Sequence, residues 1–475
     1  MQRSFIGLSA LALSLLSAGC LELPVSAVQV GEVVLSHDDL SLSLGDSAQL
    51  VASVMDDSGE PLPDRAVNWS SNNPRVAVVD EFGLVRAAGA GFTSIVAESG
   101  GRSASATVTV SVSLTSIRAG VFHTCGITSE RRIACWGRNR WGELGDSTLF
   151  SNPAPVLVAS WGTEFTRVAI GSSHTCALSV GPTVCWGANY SAQLGMGSAD
   201  AGPHPQTSTV SGPSFTWITA GDRHTCALGS QPTPGTAYCW GGGGSGQLGN
   251  GQPTATCPMV VDEPCNTVPE PVAGPTTFES IDAGTDHTCG LAPTGAAYCW
   301  GSNQFGQLGD SSDTSRSAPV PVAGNIAFRS LSVGTDHACG IARTGQAYCW
   351  GSNGFGRLGN GGNTPSNHPV SVTGGIAFES LSAGSAHTCG LTSDGTAYCW
   401  GLNDLGQLGQ GSPIASGEPI PVSGGIKFAS ISAGWSHTCG MSLDGFAYCW
   451  GWNNNGQLGV SGGSRSTPTL VAGQD

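Results

Sequence analysis

Two rhythms of apolar and polar positions divide this chain. Between Val25 and Val112, runs such as Leu40-Ser-Leu-Ser-Leu44, Ala48-Gln-Leu-Val-Ala-Ser-Val54 and Ala106-Thr-Val-Thr-Val110 alternate with period two. Turn residues at Asp57-Ser-Gly59 and Ser99-Gly-Gly101 separate them. Several short strands at regular spacing over this length predict a β-sandwich, with Trp69 in its core. From Ser113 onwards the alternation becomes a repeat. In its last copy the strand-like stretches are residues 430–433, 437–442, 446–451 and Thr467 to Val471. Side chains alternate across a strand, so His437, Cys439, Met441, Ala447 and Cys449 share one face of the middle pair. Tyr448 and Trp450 share the other, with Tyr448 opposite Gly440, where an aromatic ring can cover the glycine.

The repeat is counted by its cysteines. The first of each pair falls at Cys125, Cys176, Cys226, Cys289, Cys339, Cys389 and Cys439, 50 or 51 residues apart except for the 63-residue step from Cys226 to Cys289. Four short strands per unit at this period predict an all-β, seven-bladed β-propeller over residues 113–475, behind a sandwich over residues 25–112. With strands alternating up and down, the loops after the first and third strands of each blade share one rim.

Seventeen cysteines in an exported chain call for pairing. A turn centred on Asp444 sets Cys439 opposite Cys449, and directly opposed residues of an antiparallel pair lie within disulfide reach. The same reasoning pairs Cys125 with Cys135, Cys176 with Cys185, Cys226 with Cys239, Cys289 with Cys299, Cys339 with Cys349 and Cys389 with Cys399. It leaves Cys257 with Cys265 in the enlarged third unit, and Cys20. Metal binding is the competing use. Three potential ligands per blade fall short of a four-ligand zinc site, and neighbouring blades are too far apart to share an ion. No metal and no cofactor is expected.

Composition narrows the partner. The net charge of −15 argues against nucleic acid, whose binding depends on Lys and Arg neutralising phosphates. Residues 1–20 carry Arg3, an apolar stretch from Phe5 to Leu16, and Ser17-Ala18-Gly19-Cys20. This resembles the lipobox of bacterial lipoproteins, although Leu16 sits one place early. The resemblance implies lipidation of Cys20, with ordinary secretion as the alternative. Leu21 after the cysteine favours the outer membrane, on its periplasmic or outer side. The lipid is then the only membrane attachment.

Two further resemblances concern the domains. The phrase Val67-Asn-Trp69-Ser-Ser-Asn-Asn-Pro74-Arg-Val76, with Gly83-Leu-Val85-Arg-Ala87 and Gly91-Phe-Thr-Ser-Ile95, resembles the bacterial immunoglobulin-like group 2 domain, which implies a spacer or stalk. The Ala-Gly-x-x-His-Thr and Trp-Gly-x-Asn-x-x-Gly-Gln-Leu-Gly units resemble the regulator of chromosome condensation repeat family, which implies a seven-bladed propeller. The fold expected is therefore all-β, a propeller with an N-terminal immunoglobulin-like sandwich.

Seven equal histidines (His123, His174, His224, His287, His337, His387, His437) point to a structural hydrogen bond, because a catalytic site is one constellation. No nucleophile–base set or phosphate-binding loop stands out, and no enzyme is expected. Binding at a rim is the alternative, and aromatic clusters are enriched at interfaces. Phe122, Trp435 and Trp452 break the repeat and are the candidate binding rim, with Trp141 and Tyr190 beside them. Ring closure brings Phe122, Trp141, Trp435 and Trp452 near the seam between blades one and seven. Phe305, Phe355 and Leu405 share the register of Trp141 before a Gly-Gln-Leu-Gly-type turn and are expected to pack structurally. The function read from this pattern is an envelope-anchored, non-catalytic and monomeric binding or adhesion protein, with a protein or glycan as partner. The alternative is an inhibitor or regulator of an exported enzyme. A glycan or peptide hydrolase and a guanine-nucleotide exchange factor rank below both.

Overall fold

The computed structural model describes residues 28–160, 163–251, 255–257, 263–274 and 276–474. The targeting segment and Cys20 lie outside the described residues. The N-terminal domain is a β-sandwich. One sheet orders Asp39–Ser43, Arg102–Ser111, Gly91–Ser99 and Asn68–Ser71, and its first pair is parallel. Facing it are Ser47–Gln49, Leu84–Ala87 and Ala77–Val79, with Val30–Leu35 paired to Ala52–Asp56 in a two-stranded sheet. Ile95, Val108 and Val85 fill the space between, and Trp69 packs against this core half-buried.

Seven antiparallel sheets follow, six of them built from four strands in chain order. The last blade runs Phe428–Ala433, His437–Ser442, Ala447–Gly451 and Arg465–Leu470. Its middle register sets Cys439 against Cys449, Gly440 against Tyr448 and Met441 against Ala447. All seven within-blade cysteine pairs are bonded in this register, with Cα separations of 4.0 to 4.2 Å. The third blade has five strands. Its insertion adds Ala255–Cys257 outside Glu263–Pro271, joined by Cys257–Cys265. That hairpin packs on Ala192 of blade two, and Glu263 accepts a hydrogen bond from the Ser191 hydroxyl at 2.7 Å. The added residues that are described therefore close against a neighbouring blade.

Blades stack by one rule. The disulfide face of blade six (Cys389, Leu391, Cys399) meets Phe428, Ile431 and Trp450 of blade seven in one core. The ring that covers Gly440 is Phe428, from the innermost strand. A Cβ on Gly440 would sit 2.6 Å from Phe428 Cδ1. Phe278, Phe328 and Phe378 cover Gly290, Gly340 and Gly390 in the same way. Tyr448 meets Phe428 edge-on, 6.3 Å between centroids, and stays half-buried. The cross-strand Tyr therefore yields the glycine to a Phe on the neighbouring strand of its other side.

The histidines complete the stacking. His437 Nε2 lies 2.9 Å from the Thr124 hydroxyl of blade one, and that hydroxyl donates its proton to Gln457 O at 2.8 Å. Trp136 Nε1 donates to the same carbonyl at 3.0 Å. With its only proton committed, the hydroxyl must accept, so Nε2 carries the hydrogen, and burial holds the imidazole neutral. Equivalent His–Thr pairs join five of the six other junctions at 2.7 to 3.0 Å. At the junction of blades four and five Ala338 replaces the threonine, and His287 Nε2 has no hydrogen-bond partner.

Among the described residues no strand is exchanged where the ring closes. The immunoglobulin-like domain seals that seam instead. Leu44, Val76, Ala87, Val110 and Val112 share one continuous core with Leu114, Trp136, Met441, Leu458 and Val471 of blades one and seven. Ala90 N donates to Pro155 O at 3.0 Å, Val112 N to Gly473 O at 2.7 Å, and Gln474 Nε2 to Val112 O. The sandwich is thus docked on the propeller through a shared apolar core.

Candidate binding surface

The rim formed by loops after the first and third strands gathers the candidate aromatics in two pairs and a single ring. Phe122 and Trp452 meet edge-on across the seam of blades one and seven, 5.8 Å between centroids. Arg138 caps them, its guanidinium carbon 3.8 Å from the Phe122 centroid. Cation–π stacking of this kind is worth about 0.5–2 kcal/mol. Arg138 is fixed by Glu143 at 2.8 Å and by Ser172 O and the Ser173 hydroxyl. Burial pushes the Glu143 carboxyl up, against the pull of Arg138. Phe122 and Trp452 are thus half-buried parts of a fixed stack.

Trp141 lies elsewhere. It meets Tyr190 edge-on at 5.8 Å, across the junction of blades one and two, with Arg140 and Arg223 near the two rings. It leaves the first seam because its loop leans towards the following blade, as the Arg138 bonds to Ser172 and Ser173 also show. Trp435 is 42% exposed at the mouth of the central channel, where Phe122 also lies.

The shared-register residues divide. Trp141 and Leu405 are half-buried, but Phe305 and Phe355 are 46% and 55% exposed. Phe355 has φ +64°, an uncommon backbone state for a non-glycine residue that holds its ring out on the loop. Their structural packing is therefore not what the fold gives them. Leu149, Phe150 and Ile414, on loops after third strands, also stand exposed on this rim and carry no repeat signature. A signal existed: each is a large apolar residue in a loop where other copies are polar or small.

Charge divides the same rim. Arg138, Arg140 and Arg223 lie with the aromatics of blades one to three, whereas Asp222, Asp286 and Asp336 mark blades three to five. Burial, then the Asp222 carboxylate, pushes Asp286 up to about 6, against the pull of Arg223. Among the described residues no three His, Cys, Asp or Glu side chains are placed to hold a metal ion. No helix among them is long and apolar enough to cross a membrane.

A ring of repeat propeller blades behind a bacterial immunoglobulin-like sandwich is the class this architecture defines. Residues 133–178, 185–228, 234–291, 294–341, 344–391, 394–441 and 444–475 match the regulator of chromosome condensation (RCC1) repeat, and the chain belongs to that family. Residues 29–110 match the bacterial Ig-like domain (group 2). The chain is similar to the ultraviolet-B receptor UVR8 of Arabidopsis thaliana, 29% identical over 206 residues, 42% of this chain and 44% of that protein. It is also similar to 3-O-alpha-D-galactosyl-alpha-L-arabinofuranosidase of Bifidobacterium longum subsp. longum, 42% identical over 90 residues, 18% of this chain and 8% of that enzyme. The chain thus spans less than half the length of these curated relatives. In fold it is similar to Prp20p of Saccharomyces cerevisiae (TM-score 0.60, 20% identity, 76% of this chain and 87% of that one), a structure described with its binding properties to Gsp1p and histones.

Proposed function

We propose that this is a non-catalytic binding protein of a bacterial outer membrane, anchored through a lipid on Cys20, that captures a protein on the rim carrying Trp435. The observation that carries this reading is one of distribution. Six of the nine large apolar side chains exposed on the described propeller lie on that rim: Leu149, Phe150, Phe305, Phe355, Ile414 and Trp435. Val180, Leu443 and Phe446 are on the other. Exposed apolar groups rimmed by charge are what a protein partner covers. Binding of Gsp1p and histones by the yeast relative supports a protein as the partner class.

The test starts with proximity labelling from the anchored protein on intact cells, followed by affinity measurement with the labelled protein. Trp435→Ala with Phe355→Ala is expected to weaken binding at least tenfold and to shift the unfolding midpoint by no more than a degree or so. Exposed rings contribute little to stability but much to an interface. Unchanged affinity overturns the rim assignment. In the same cells Cys20→Ser is expected to move the protein from the membrane to the soluble fraction, and unchanged partitioning rejects the anchor.

A further inference from the structure

The lumen breaks the repeat as well. The innermost strands of the seven blades surround a channel of about 900 Å³. Blades five to seven present two serines each: Ser330 and Ser332, Ser380 and Ser382, Ser430 and Ser432. Three of these hydroxyls accept a backbone N–H from the next blade: Ser332 from Ala383, Ser382 from Ala433, and Ser432 from Ala119, at 2.9 to 3.0 Å. The matching residues of blades one to four are Ser116 and Arg118, Arg167 and Ala169, Trp217 and Thr219, Ser280 and Asp282. Two guanidiniums, one indole and one carboxylate have replaced hydroxyls on one half of the wall.

Asp282 is committed. Its carboxylate accepts from the Thr219 hydroxyl, Ala283 N and Val333 N at 2.9 to 3.1 Å, taking over the inter-blade role of the serines. Arg167 is held without being neutralised. Its guanidinium carbon is 3.4 Å from the Trp217 ring centroid, and Trp217 Nε1 is fixed by Ile281 O at 2.7 Å. Among the described residues neither Arg118 nor Arg167 has a hydrogen-bonded or ion-paired partner. At the opposite mouth, by contrast, Arg329 is paired with Glu379 at 3.1 Å. Burial, then the like charge of Arg118, pushes Arg167 down to about 10, with Asp282 opposing. Arg118 stands exposed and Arg167 half-buried on the channel wall, and both leave guanidinium donors that an anion can meet.

We propose that the lumen binds a small ligand through an oxyanion, carboxylate or phosphate, clamped between Arg118 and Arg167. The planar fork of arginine suits both anions, and stacking on Trp217 aims the Arg167 donors before the ligand arrives. The volume is that of a small-molecule site. Phe122 and Trp435 at one mouth offer an apolar surface to the rest of such a ligand.

Calorimetric titration of the full chain with inorganic phosphate and, separately, with succinate at low ionic strength tests this. Saturable binding of at least one is expected, and the arm that binds names the anion. Arg118→Gln and Arg167→Gln should each weaken it at least tenfold, whereas Arg329→Gln should not. All four chains keep the rim aromatics, so protein capture is read independently. Absence of binding in both arms overturns the proposal, as does binding that survives both lumen variants. Should either variant fail to fold, the wild-type unfolding midpoint decides. It should rise with phosphate or succinate but not with chloride at equal ionic strength, and equal behaviour in chloride overturns the proposal.

Discussion

Single side chains set how firmly each blade grips the next, and the histidines show it most directly. Each sits fully buried with its Nε2 hydrogen aimed at the next blade, so a lost partner has a defined cost. Ala338 leaves His287 Nε2 without one. Ala338→Thr, which restores the residue found at this place in every other blade, is expected to stabilise the protein by about 1 kcal/mol in denaturant unfolding. No gain would mean that the hydroxyl relay is not what the histidine needs. Burial pushes His174, His224, His287, His387 and His437 down to about 3. In the unfolded chain each takes up a proton near pH 6.5. The unfolded state therefore binds more protons between these values, and stability should fall as pH drops from about 6.5 towards 3. Each histidine contributes roughly 1.4 kcal/mol per pH unit in that window. A melting temperature that stays flat from pH 7 to 4 would contradict neutral, buried histidines. A structural role was legible from seven equal copies; the receiving threonine was not, because it belongs to the next blade.

Strands and hairpins were largely legible, since period-two patterning and paired cysteines fix register without tertiary information. The Cys439–Cys449 and Gly440–Tyr448 pairings follow from the turn at Asp444 alone. What covers a glycine was not legible, because the strand pairing sets Tyr448 opposite Gly440, whereas Phe428 reaches it diagonally from the neighbouring strand on the other side. Phe428→Ala should consequently cost about 3–5 kcal/mol, the usual price of truncating a fully buried Phe. Tyr448→Ala should cost less, since that ring stays partly in water. Equal losses in thermal or denaturant unfolding would restore the cross-strand tyrosine to the covering role. The immunoglobulin-like sandwich was recognisable by its words, but its docking was hidden. Leu44, Val76 and Val112 read as interior residues of their own domain, and nothing local says that the propeller's seam completes that interior.

At the scale of the whole molecule, seven near-identical blades make an assembly whose individuality lies where the copies disagree. The sequence showed this for Phe122, Trp435 and Trp452, yet the fold spends Phe122 and Trp452 on a stack with Arg138 and leaves Trp435 exposed. Phe150 and the lumen arginines carry the same kind of departure from the repeat, whereas Phe355 shares its register with Trp141, Phe305 and Leu405. A loop aromatic in a shared register looks structural, and a strand position shows no lumen until the ring closes. Function in this reading belongs to one rim, and geometry allows the two rims to be compared within a single molecule. The most direct test places a photo-crosslinking residue at position 435 or 355, or at 443 on the opposite rim, in the full chain produced in intact cells. Positions 435 and 355 are predicted to give one discrete protein adduct that position 443 does not. An adduct of equal strength from position 443, or none from 435 and 355, would contradict capture on this rim.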